Sequence, residues 1–142
     1  MYLDALGLVS NAQAFGAAAV STNAIDLGTS VPKREIGTGE PKGFGVAVTT
    51  AGTVAASLIE VISATDAALT AGILVHSSRT IPLAETVLGA AFFIEIPVGT
   101  PTQRYLGIRI TTAAGTISVT AWLTSRKMFS ITAKPYAKSY VV

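Results

Sequence analysis

RYLGIRITTAAGTISVTAWLT, residues 104–124, decides how this chain is read. Leu106, Ile108 and Ile110 alternate with Tyr105, Arg109 and Thr111; Ile117, Val119, Ala121 and Leu123 alternate with Ser118, Thr120, Trp122 and Thr124. A period of two is that of a strand with one buried face. Between the two runs, Ala113, Ala114 and Gly115 supply a tight turn in which glycine can take positive φ. The same grammar extends outward. Phe92, Ile94 and Ile96 share one face of a strand over 91–96, and Phe44, Val46 and Val48 one face of a strand from 44 to 49. Residues 57–64 are apolar on both faces apart from Glu60, as in a strand held between layers. Shorter strands are expected at 23–27 and 73–78, and at 81–83, where Pro82 marks an edge. Residues 66–72 read as a loop or one helical turn. About eight short strands without intervening helices predict an all-β, antiparallel jelly-roll sandwich.

Composition agrees. Thr (18), Val (13) and Ile (12) make up 43 of 142 residues, types that suit a pleated, half-buried surface. One domain spanning 1–142 suits the length. Within it, residues 1–20 form a lead, either a short helix capped by Asp4 and running to about Phe15 or an extended arm. Residues 23–125 form the β core, and 126–142 a basic tail. Charged residues are 13% of the chain, about half the ~25% usual in soluble domains. A light, weakly charged domain tends to associate, which points to an assembly subunit. The charges are segregated: four bases face eight acids in residues 1–99, and residues 100–142 carry six bases and no acid. A basic third of this kind suits contact with an acidic surface. No stretch reads as membrane-spanning or as a secretory signal, so cytoplasmic synthesis is expected.

Material for catalysis is sparse. The chain has no cysteine and one histidine, which excludes disulfides, thiolate chemistry and the usual zinc sites. His76 has Ser77 and Ser78 beside it but no acid nearby in sequence, and reads as structural. Glu60 and Glu95 would make a paired-carboxylate site only if they met across the sandwich; each reads instead as a lone surface or edge carboxylate. Gly37-Thr38-Gly39 lacks the Gly-Lys-Ser/Thr and the helix that a phosphate loop needs. Six positive charges with Tyr136 and Tyr140 are thin for nucleic acid. Trp122 falls on the polar side of its strand, covering an interface or capping a barrel end. No cofactor or metal is expected, and no enzymatic activity.

Met1-Tyr2-Leu3-Asp4-Ala5, residues 21–28 (STNAIDLG), the run from Leu83-Ala84-Glu85 through Gly89 to residues 93–97 (FIEIP), and Tyr105-Leu106-Gly107 resemble the jelly-roll capsid cement, or decoration, proteins of podophage heads. The resemblance covers nearly the whole chain. It implies a structural virion protein on the outer face of an icosahedral capsid, clamping neighbouring major capsid proteins, and a homo-oligomer, most simply a dimer. On that reading the partner-binding candidates are Tyr2, Leu3, Leu6 and Phe15 in the lead, and Lys33, Arg34, Glu35 and Lys42 in the charged loop at 32–43. Arg126, Lys127, Tyr136 and Tyr140 in the tail complete the set. The competing reading is a carbohydrate-binding jelly roll for host-surface attachment, which would want exposed aromatic platforms; aromatics are only 7%.

Overall fold

A computed structural model describes residues 7–29, 41–53, 55–97 and 102–132, without the side chains of 130–132. The strands are β1 (Leu8–Phe15), β2 (Ala19–Val20), β3 (Ile25–Asp26), β4 (Lys42–Thr50), β5 (Ser57–Ala64), β6 (Leu74–Ile81), β7 (Ala91–Glu95), β8 (Tyr105–Thr112) and β9 (Ile117–Ser125). A helix, α1 (Arg126–Thr132), follows directly. One sheet has the order β1-β9-β4-β7. The other runs β2-β8-β5-β6, with β3 also on β8, and all pairings are antiparallel. With β2 and β3 counted as one interrupted strand, this is the eight-strand jelly roll of two Greek keys.

The alternation read from residues 104–124 is the core. Leu106, Ile108, Ile110, Ile117 and Val119 are buried between the sheets with Phe44, Val46, Ile59, Val61 and Ile94. Both open sides of the sandwich are tied. On one, Gln13 donates its amide to the Val20 carbonyl and accepts from the Thr22 N–H; on the other, the Ser77 hydroxyl donates to the Glu95 carbonyl at 2.6 Å. The outer face of the five-stranded sheet carries a second cluster: Ile62, Ala64 and Leu69, with Val20, Ile73 and Tyr105 against it. Leu69, at φ +58°, drops into the space over Gly107, where a β-carbon would collide with it. This cover explains why β5 is apolar on both faces.

Several expectations change. Residues 8–15 are neither a helix nor a free arm but β1, paired with β9. Phe15 is fully buried in the core, so its side chain packs the sandwich and offers no surface to a partner. β4 begins at Lys42, inside the stretch expected to be loop. β6 extends to Ile81, and Leu83–Glu85 is a 3-10 turn, not an edge strand. The first part of the basic tail is α1. Trp122 neither covers an interface nor caps an end: it is 5% exposed, beneath Phe129 of α1 at 6.3 Å between rings.

Candidate functional site

The two ends of the sandwich differ in chemistry. One end gathers the turns at 16–18, 51–53 with 55–56, 82–90 and 113–116. They are knitted by Thr112 Oγ1 to the Gly16 carbonyl (2.6 Å), Thr116 N–H to Thr53 Oγ1 (3.0 Å) and Gly52 N–H to the Thr86 carbonyl (2.9 Å). Glu85 is the one charged residue in those four turns. Leu83, Val87 and Leu88 are exposed there, Leu88 to 72%. Sequence patterning missed this surface, because its residues are scattered over four turns and only the topology collects them.

The opposite end holds the charge. Asp26 and Arg104 form a two-bonded ion pair (2.8 and 2.9 Å), and hydrogen bonding to Asp26 raises the Arg104 pKa. Lys42 opens β4 directly opposite Ser125, the last residue of β9, and the Arg126 N–H donates to the Pro41 carbonyl at 3.0 Å. Lys42, Arg126 and Lys127, drawn from two candidate groups far apart in sequence, are thereby brought to one end. Gly7, Thr29 and Pro41, where the chain passes into undescribed residues, adjoin strand ends on this side. Tyr2, Leu3, Leu6, Lys33, Arg34, Glu35, Tyr136 and Tyr140 lie outside the described residues, as does the Gly37-Thr38-Gly39 loop.

The Ser125 hydroxyl accepts the Met128 N–H at 3.2 Å, capping the start of α1. The helix then lays Phe129 against Trp122 and against Phe93 (5.5 Å between rings) on the outer face of the four-stranded sheet. Glycines in β4 make room: a β-carbon on Gly45 would stand 2.7 Å from the Trp122 indole and 3.0 Å from Phe129. Arg126 pairs with Glu95 at 2.7 Å and lies 5.4 Å over the Phe93 ring.

The carboxylates do not form a catalytic pair. Glu60 meets Arg109 across the β5–β8 ladder at 2.7 Å on the outer face of one sheet, while Glu95 meets Arg126 on the outer face of the other. The hydrogen bond from Arg109 to Glu60 raises the arginine's pKa. His76 occupies a bulge in β6, because Val61 pairs with Ser77 and Ile62 with Val75. The bulge turns its Nε2 to the Ser63 hydroxyl at 2.7 Å, a contact absent from any reading of Ser77 and Ser78. Ser63 is fully buried and also accepts the Gln103 N–H at 2.9 Å, so its hydroxyl joins the histidine to the backbone before β8. Nδ1 is buried without a hydrogen-bond partner, and burial lowers the His76 pKa. A Ser–His contact with no acid behind the histidine and a serine closed to solvent serves packing better than nucleophilic attack. Among the described residues no three His, Asp or Glu side chains converge as a metal would need, and no helix is long and apolar enough to cross a membrane.

With that geometry in place, a family model described as Bbp16 matches residues 9–124, from the second residue of β1 to the last but one of β9. The chain belongs to the Bbp16 family. Its match spans the whole jelly roll and stops short of α1. The family's name points to a phage-related protein. No curated protein matches the chain.

Proposed function

We propose that this protein is a non-enzymatic component of a phage virion that binds the outer face of an icosahedral capsid and clamps neighbouring major capsid proteins. The observation that carries the reading is the Bbp16 match across the full sandwich. The architecture supports it: a rigid double sheet with its side edges tied, and charged side chains collected at one end. A clip that binds only the assembled shell stabilises that state by mass action. A clip touching two subunits gains further through effective concentration. Lys42, Lys127 and Arg126, the last already paired with Glu95, stand at the end that would meet an acidic shell surface, and such contacts weaken with salt because screening acts over about 10 Å at 0.1 M.

The test is electron microscopy and occupancy on purified shells, for wild type and for Lys42→Ala/Arg126→Ala/Lys127→Ala, at low and high salt. The expected outcome is density on the outer shell surface, with weaker binding and a flatter salt response in the variant. Absence of wild-type protein from shells at every salt overturns the shell reading. Equal occupancy of variant and wild type removes these three cations from the contact.

A further inference from the structure

Strand β7 has one hydrogen-bonded neighbour, β4. In an antiparallel pair, alternate residues turn their peptide groups toward the partner. The Ile96 N–H donates to the Lys42 carbonyl at 2.9 Å and the Val48 N–H to the Ala90 carbonyl at 2.8 Å. Even-numbered residues of this segment therefore face β4, and Ala91, Phe93 and Glu95 turn their N–H and C=O groups the other way. Ser77 takes the Glu95 carbonyl. Those of Ala91 and Phe93 open on a cleft of about 500 Å³ lined by Arg79, Ala91, Phe92, Phe93, Arg126 and Phe129.

The charges of this cleft do not cancel. Arg126 is held by Glu95, but Arg79 lies 5.1 Å over the Phe92 ring and forms no ion pair with a described residue. The cleft thus combines a short row of open peptide groups, three phenyl rings and one surplus positive charge. The edge of β6 is a poorer template, since the bulge at His76 breaks its ladder.

We propose that the open edge of β7 accepts an extended segment of a partner protein as an added strand. Side chains of such a strand alternate between two faces. The inner face meets Arg79 and calls for a carboxylate; the outer face meets Phe93 and Phe129 and calls for an apolar residue. An acidic residue next to an apolar one satisfies both. The row of peptide groups selects a protein backbone over nucleic acid or lipid. This inference stands on the edge itself and does not depend on the shell reading.

The experiment follows backbone amides of the intact chain by nitrogen-15 NMR. The probes are the capped peptide acetyl-TEVEVT-amide and its lysine counterpart acetyl-TKVKVT-amide. The glutamate peptide is expected to shift the Ala91 and Phe93 amides saturably and slow their hydrogen exchange. The lysine peptide is expected to bind at least tenfold more weakly. Arg79→Glu should reverse that preference with the remaining spectrum unchanged, and Arg79→Gln should abolish it if the charge reversal disturbs folding. The proposal is overturned if these two amides do not respond to millimolar peptide, or if both peptides bind equally. It is overturned equally if the two amides are already protected before peptide is added, or if oligothymidylate moves them and peptide does not.

Discussion

Replacing Gly45 by alanine should act through the chain's single tryptophan. Alanine in a strand is better than glycine by about 0.5–1 kcal/mol. At this position the new methyl would stand 2.7 Å from two indole carbons and 3.0 Å from Phe129. The indole is a rigid ring, 5% exposed, and cannot yield by rotating a flexible end. Overpacking of this kind costs about 1–3 kcal/mol, so the expected net loss is about 1–2 kcal/mol. For a chain of this length that is a fall in Tm of about 3–8 °C. Phe129→Ala removes the ring that holds Trp122 down, allowing the indole to lift. In the double variant Gly45→Ala should therefore cost about 0.5 kcal/mol or less, a coupling of about 1 kcal/mol between contacting residues. Urea unfolding gives the energies, and Trp122 emission gives the displacement, red-shifted in Gly45→Ala. A Gly45→Ala protein as stable as wild type, with unshifted emission and additive energies, refutes the argument that β4 glycines are the floor beneath α1.

Ile108 is fully buried at the centre of β8, so Ile108→Ala should lose about 2–4 kcal/mol in urea unfolding. Since burial lowers the folded-state pKa of His76 below the ordinary 6.5, the unfolded chain takes up the proton first as pH falls. Stability should be full above about 6.5 and decline below it until the folded-state value is passed. His76→Gln should flatten the thermal-unfolding response between pH 7 and 5. Arg109 and Glu60 face each other across β5 and β8, both mostly shielded from water; a cycle of Arg109→Met and Glu60→Gln should return a coupling of up to about 1 kcal/mol, measured by the same unfolding assay.

The sandwich was legible where alternation runs undisturbed, as from Leu106 to Ile110 and from Phe92 to Ile96. It was illegible in β1 for a physical reason. That strand changes register between Leu8 and Ser10 and again between Ser10 and Gln13, and Ala12 sits at φ +47°. Bulges erase a period of two, and the alanine-rich segment then looks like helix or arm. Phe15 was misplaced with it. α1 has seven residues, too few for a helical period to show, and its anchor Phe129 is recognisable only once Gly43 and Gly45 are known to lie opposite. The resemblance singles out Lys42, Arg126 and Lys127, but their convergence comes from the register of β4 on β9. Ser63 and His76, thirteen residues apart, meet because a bulge turns the histidine out of step.

Surfaces open to a partner follow from what the chain already covers. The outer face of the four-stranded sheet is roofed in part by α1, and that of the five-stranded sheet by Leu69 and the loop that carries it. Gln13 ties one side edge, and on the other Ser77 ties β7 at Glu95 and leaves its Ala91–Phe93 stretch open. Among the described residues the β7 cleft and the two ends stay open, as do Leu74 and Val75 on β6 and Met128 on α1. The ends obey different physics: cations at the charged end gain and lose affinity with ionic strength, whereas Leu83, Val87 and Leu88 at the other gain by leaving water, nearly independently of salt. A partner bound by both ends would hold this protein through one contact that responds to its ionic surroundings and one that does not. That division arises from topology, because the four turns with a single acid are those that a jelly roll places together, while Asp26, Lys42, Arg104, Arg126 and Lys127 stand at strand ends on the opposite side.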